Sequence, residues 1–271
     1  MPKSFSLIVL FLLGSVNVLQ AQFGFSHEVG VIAGPVAFQS DYGIRHDFDT
    51  NAGNTGIGIG LIHYLNFSYR ADCNCYTPEN YFNDHFKLRT ELSYNKTKLE
   101  HFGEWVTPEK LAGVPDGPRQ LKGMHGSTAV TNIGMQLEFF PLSIRDFSAT
   151  TGAFGPFVSL GAQYSFFKPE VETSFGDGRL IQPNIFPKYW EPSDGEAHGF
   201  SNERGSTFSV VSSVGTRYKL TPLSDLMLDL RFQYFNSNWV DGLNPNPDKY
   251  PENKANDWLV WLNFGYIYYL N

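Results

Sequence analysis

The sequence predicts an all-β fold, an eight-stranded antiparallel transmembrane β-barrel with long extracellular loops. Three observations carry that prediction. Eight segments alternate apolar and polar residues with a period of two, which sends successive side chains to opposite faces of a strand. The connections between these segments alternate between long and, with one exception, shorter ones, as in barrels that keep tight turns on one side of a membrane and loops on the other. The composition includes 24 Phe, 14 Tyr and 5 Trp, 26 Gly and only 17% charged residues, which suits aromatic girdles and glycine-bearing strands.

Taken in chain order, residues 1–21 read as a secretory signal peptide: Lys3, an apolar run from Phe5 to Leu13, and the small residue Ala21 before Gln22. Residues 22–271 then form the barrel domain. No later apolar stretch approaches the roughly 20 residues a membrane helix needs. Strands are expected over Phe25–Pro35, Thr55–Leu65, Phe86–Asn95, Thr128–Phe139, Gly155–Phe167, Thr207–Leu220, Asp225–Phe235 and Asp257–Leu270. The third is the clearest, with Phe86, Leu88, Thr90, Leu92 and Tyr94 opposing Lys87, Arg89, Glu91, Ser93 and Asn95. The first two, rich in Gly, are the weakest. Tyr94, Phe166, Phe208, Tyr234 and Trp258 would form one aromatic rim, with Phe86, Phe139, Tyr218 and Tyr266 at the other.

With both termini in the periplasm, the outer loops would be residues 36–54, 96–127, 168–206 and 236–256. The inner turns would be 66–85, 140–154 and 221–224. The first is unusually long and carries Cys73 and Cys75, a pair too close in sequence for an unstrained disulfide and lacking partners for a metal site, so a redox or partner-binding turn is the expectation there.

The inward face carries the chemistry: Glu28, Lys87, Arg89, Glu91, Glu138, Arg217, Lys219, Asp229 and Arg231. An eight-stranded barrel is only wide enough for side chains to fill, so these charges are expected to pair as a plug. A proton path or hydrolytic site is the competing reading, and a path needs a width such a barrel lacks. The glycines of Gly53-Asn54-Thr55-Gly56-Ile57-Gly58-Ile59-Gly60 continue into strand alternation rather than opening a helix, which excludes a dinucleotide turn. None of the seven histidines sits in a hydrolase or metal-ligand motif; Asp84-His85 and Arg45-His46-Asp47 are the nearest acid–base clusters. A net charge of −7 argues against a nucleic-acid partner.

The stretches His27-Glu28-Val29-Gly30-Val31-Ile32-Ala33-Gly34-Pro35, Leu137-Glu138-Phe139-Phe140-Pro141 and Gly155-Pro156-Phe157-Val158-Ser159-Leu160-Gly161 resemble the small outer-membrane barrel proteins of Bacteroidota. The chain looks most like an uncharacterised flavobacterial group and more distantly like PorG, an accessory of the type IX secretion and gliding machinery. The resemblance implies an outer-membrane location and permits a secretion role; it transfers no catalytic residue. Cys73, Cys75 and the long first inner turn depart from PorG.

The expectation is therefore a non-enzymatic anchor or scaffold without cofactor or metal, its partners the outer-membrane lipids and secretion or gliding proteins. The alternative is a small channel or a ligand-binding barrel using the loops around Trp105, Trp190 and Trp239.

Overall fold

The structure is a computed structural model and describes residues 26–44, 47–67, 81–113 and 116–270. The expected signal peptide, Arg45-His46, Cys73 and Cys75 lie outside the described residues. Eight strands, β1 (Ser26–Gln39), β2 (Thr55–Asn66), β3 (Phe86–Glu100), β4 (Met124–Phe139), β5 (Phe154–Thr173), β6 (Gly205–Thr221), β7 (Ser224–Phe235) and β8 (Trp258–Leu270), pair in chain order. Antiparallel pairing of β1 with β8 closes the barrel, so no sheet edge is left open.

The barrel is inside-out relative to a water-soluble protein. Leu61 and Leu160 are 60% and 64% exposed on the outer surface, whereas Arg89, Arg217 and Arg231 are fully buried within. Only a hydrocarbon solvent rewards that distribution, and a closed barrel is one of two ways for backbone to cross it with every hydrogen bond made. No helix of the described residues is long and apolar enough to cross a membrane. From Phe86 at one aromatic rim to Tyr94 at the other, a rise of about 3.3 Å per residue at a tilt of about 40° spans about 20 Å of the membrane normal. Tilted ring pairs such as Phe86 with Phe139, at 5.1 Å, and Phe232 with Trp258, at 5.0 Å, mark the two rims.

Strands run further at the loop end than the sequence suggests. β3 and β4 stay paired out to Glu100 opposite His125, and β4 and β5 out to Met124 opposite Thr173. Beyond the belt the outward residues become Lys96, Lys98, Glu100, Lys168 and Glu172, while Thr97, Leu99 and Val171 still face inward. The alternation persists but its outer face meets water instead of lipid, so reading strand length from outward apolar residues stops too early. β1 likewise continues past Pro35 to Gln39; its ladder to β8 omits Gly34 and Pro35 and resumes in the same register at Val36 opposite Trp261. Pro35 has no N–H to give a ladder. The three long hairpin loops are accordingly shorter than expected.

At the opposite end the connections include helices Tyr81–His85 and Ile144–Ala149, the latter capped by Ser143, whose Oγ accepts from the Asp146 N–H at 3.1 Å. Only Pro222 and Leu223 separate β6 from β7.

The glycines of β1, β2 and β8 thin one side of the wall so that bulk can enter from its neighbours. A Cβ at Gly58 would overlap the indole of Trp261, and one at Gly60 would press on Ile32. On this side the interior is Ile32, Val36, Ile62, Leu259, Trp261 and Ile267, all buried. The apolar lumen residues therefore gather on β1, β2 and β8, where Glu28 is the one member of the charge network, and the other lumen charges come from β3, β4, β6 and β7, a division the period-two reading of the charges does not reveal.

Candidate functional site: a filled lumen and its loop cap

All nine charges expected inside the barrel are buried and lie on its inner face. Near the turn end, Glu28 Oε1 accepts from Lys87 Nζ at 2.6 Å and its Oε2 from Arg217 at 2.6 Å. Arg217 continues to Glu138 at 3.0 Å and approaches Asp225 at 3.8 Å. Glu138 also receives the Tyr64 hydroxyl at 3.0 Å and Arg89 at 3.4 Å. Arg89 bridges onward to Glu91 at 2.7 Å and Asp229 at 3.0 Å. Arg231 grips Glu91 with both terminal nitrogens, at 2.5 and 2.7 Å, the fork geometry that favours arginine over lysine at such a site.

Sequence reasoning missed Asp225, which closes the set. Its Oδ1 stands 3.2 Å from Lys219 Nζ, and its Oδ2 accepts from the Tyr269 hydroxyl at 2.7 Å. Lys87, Arg89, Arg217, Lys219 and Arg231 are thus matched by Glu28, Glu91, Glu138, Asp225 and Asp229, five cations with five anions. The parity of β7 could have found it, since Asp225 is four residues before Asp229 and shares its face. It stands as the first residue of the expected strand Asp225–Phe235, where the alternation that marks a face has only begun.

Above the charges lies a neutral layer: Gln233 Nε2 donates to Asn132 Oδ1 at 3.0 Å and to Ser209 Oγ at 2.8 Å, and Ser165 donates to Asn132 at 2.7 Å. Both mouths are then closed. At the turn end Phe140, Ile144 and Phe147 are buried, with Arg217 and Lys219 facing the Phe140 and Phe147 rings at 5.3 and 5.8 Å. At the loop end the segment after β7 folds into the opening: the Thr128 hydroxyl of β4 donates to the Val240 carbonyl at 2.5 Å, and Val240 and Leu243 are fully buried.

That segment organises the loops into a cap. Asp257 Oδ2 accepts from the Val240 and Asp241 N–H groups at 3.0 and 3.2 Å. Asp241 accepts from the N–H groups of Asp41 at 2.6 Å and Leu243 at 2.7 Å, joining the first loop to the last. Asp41 in turn accepts from Asn253 at 2.8 Å and Asn238 at 3.1 Å, and its carbonyl takes the Tyr189 hydroxyl at 2.8 Å. A hydrophobic cluster of Tyr42, Leu99, Met124, Val171, Ile185 and Tyr189 lies beneath.

His101, just past β3, is packed between the rings of Tyr42 and Tyr189, with centroids at 5.0 and 5.9 Å. Burial holds its imidazole neutral, with the pKa lowered from 6.5 to about 3 by loss of hydration, partly opposed by the Tyr42 backbone. The folded cap therefore resists a proton that the unfolded loop accepts at about 6.5, so its stability is full above that pH and declines as pH falls toward about 3. Hydrogen exchange of the loop amides, corrected for intrinsic rates, is expected to quicken between about pH 7 and 5 in the native protein. The H101F variant should lose that dependence; equal acid sensitivity in both would exclude His101 as its source.

The three loop tryptophans do not converge. Trp105 lies beside His101, Trp190 packs on His198 at 4.0 Å, and Trp239 donates to Asp194 at 3.3 Å. The acid–base cluster Asp84-His85 is committed to structure: Asp84 accepts from the Arg145 N–H at 3.1 Å, and His85 Nδ1 is 2.6 Å from the Phe140 carbonyl.

Closed wall, lipid-facing belt and packed interior together define a small transmembrane β-barrel. Among solved structures the chain is similar to Ail, the attachment invasion locus protein of Yersinia pestis, solved in complex with the heparin analogue sucrose octasulfate (11% identity, 92% of this chain and 100% of that one, TM-score 0.41). It is similar also to Neisserial surface protein A (14%, 89% and 96%, 0.42) and to the outer membrane protein OprG from Pseudomonas aeruginosa (15%, 91% and 98%, 0.42). No family model and no curated protein matches the chain. Likeness of this kind transfers no function.

Proposed function

We propose that the chain is a non-conducting, non-enzymatic anchor of a bacterial outer membrane, with both termini in the periplasm and the loop cap as its working surface outside the cell. The observation that carries this reading is a lumen filled from mouth to mouth: five ion-paired cations and anions, a neutral polar layer above them, and packed side chains across each opening. A route for ions would need the network to part, and each charge so exposed would lose partners in a low-dielectric interior. The orientation rests on the tight β6–β7 turn, since such barrels turn tightly on the periplasmic side. The hydrogen-bonded order of the cap supports a binding role, because a preorganised surface loses less freedom on meeting a partner.

The resemblance to type IX accessory barrels would make that partner a secretion component. That reading expects secretion proteins to be recovered with the tagged barrel from detergent-solubilised envelope, and a barrel that consistently comes down alone would count against it. For the sealed anchor itself, reconstitution into planar bilayers is expected to give a silent membrane. Reproducible single-channel steps from folded protein would overturn it. Cleavage of the loops by protease added to intact cells is the expected sign of their outward placement.

A further inference from the structure

On its outer face the barrel carries cations in one sector only. Among the described strand residues, the outward-facing Lys and Arg side chains are Lys96 and Lys98 of β3 and Lys168 of β5, the two strands that flank β4. The outer ends of β1, β2, β6, β7 and β8 present the neutral residues Ala37, Thr55, Ser206, Tyr234 and Trp258 instead.

Cross-strand register sorts the charges of this sector by height. Lys96 and Lys168, on either side of Ala129, stand one rung beyond Tyr94 and Phe166 of the aromatic rim. Lys98 and Glu170 stand on the second rung, Glu100 and Glu172 on the third. Each rung is two residues, or about 5 Å along the membrane normal at a rise of about 3.3 Å per residue and a tilt of about 40°. A bilayer of about 40–45 Å around a hydrocarbon core of about 30 Å leaves about 5–7 Å for each headgroup layer. The first rung therefore lies at the level of lipid phosphates, and the acidic third rung lies in water.

The acids of the sector are already engaged. Glu170 pairs with Lys168 at 2.5 Å and accepts from the Ser127 hydroxyl at 3.3 Å; Glu100 pairs with Lys122 at 3.1 Å, and Glu172 faces His125 at 3.5 Å. Lys96 and Lys98 are exposed and make no ion pair or hydrogen bond among the described residues. The surplus is cationic, so the complementary group is an anion. Two exposed lysines hold a free ion weakly. A lipid whose chains already lie on the belt presents its phosphate to them at high effective concentration.

We propose that the β3–β5 sector holds one phosphate-bearing lipid of the loop-end leaflet, its chains on the apolar belt and its phosphate against Lys96 and Lys98. This goes beyond the anchor reading and holds whichever side of the membrane the loops face.

Native mass spectrometry of the full-length protein in detergent, titrated separately with dioleoyl phosphatidic acid and dioleoyl phosphatidylcholine, provides the test. One phosphatidic acid is expected to bind at least tenfold more tightly than phosphatidylcholine, whose choline masks the phosphate charge. K96Q and K98Q should each weaken it about fivefold, the contribution of one lysine at an anionic surface. E170Q frees Lys168 and should strengthen binding by a similar factor. K110Q/K254Q makes the same change in net charge among exposed loop residues and should leave binding unaltered. Retained heat-modifiable gel mobility would show that each variant is folded. Equal affinity for the two lipids would overturn the proposal, as would a preference that survives K96Q/K98Q. Displacement of the lipid by an equal concentration of inorganic phosphate would also overturn it, by showing an anion site that needs no lipid. Loss of the lipid preference leaves the sealed anchor standing, and bilayer conductance would overturn the anchor without touching the lipid site.

Discussion

E28L is expected to lower the unfolding free energy of the barrel by about 3–5 kcal/mol, the usual cost of removing one member of a buried ion pair. Glu28 is the carboxylate within ion-pair distance of Lys87, at 2.6 Å, and it also holds Arg217. With Glu28 gone, Lys87 is left fully buried without that carboxylate, facing the rings of Phe140 and Tyr269 at 5.5 and 5.6 Å. Cation–π attraction of about 2 kcal/mol does not offset the loss of a carboxylate at this depth. Arg217 fares better, since Glu138 and Asp225 remain beside it. The double variant E28L/K87M should therefore recover most of the loss, because apolar side chains of similar volume in place of a buried pair are often neutral or stabilising. Urea unfolding followed by tryptophan fluorescence in lipid vesicles provides the measurement. A double variant as unstable as E28L would mean that the stranded cation is not the cause.

The second large effect is expected from D241A, and it should fall on the cap alone. Asp241 is fully buried and accepts from the Asp41 and Leu243 N–H groups, so the alanine leaves two buried backbone donors without that carboxylate. Each hydrogen bond to a charged acceptor contributes about 1.5–3 kcal/mol, which makes about 3–6 kcal/mol at the junction of first and last loops. Amides near residues 40–54 and 236–257 should exchange at least a hundredfold faster, while those of the β3–β4 ladder stay protected. A uniform rise over the whole barrel would show that cap and barrel unfold together. D241N keeps an acceptor oxygen and should fall between the two.

Much of the fold was legible because a membrane barrel obeys a simple rule along each strand. Lys87, Arg89 and Glu91 alternate with Leu88, Thr90 and Leu92, and lipid outside with packed charge inside leaves no other face for either set. The same rule located all nine expected lumen charges. It failed where its premise lapsed: past the belt, Lys96 and Lys98 point outward into water, and a strand with a polar outer face reads as loop. It also said little about the glycine-rich strands, since Gly58 has no side chain to carry a pattern and its role is to make room for Trp261, which lies about two hundred residues away in the chain.

By itself the sequence determined the class of fold, the number of strands, the face that alternating residues take and nine of the ten lumen charges. These follow from local alternation in a solvent that is apolar on one side. Only the tertiary structure decided that Asp225 balances the lumen, that Val240 closes its mouth, and that Tyr42, His101 and Tyr189 pack together. Those outcomes depend on closure of β1 onto β8 and on loops meeting across the barrel, as when Asp41 and Asp241 join residues 200 apart. Pairings at such separations are set by the packing of the whole cap, and no local period in the chain encodes them.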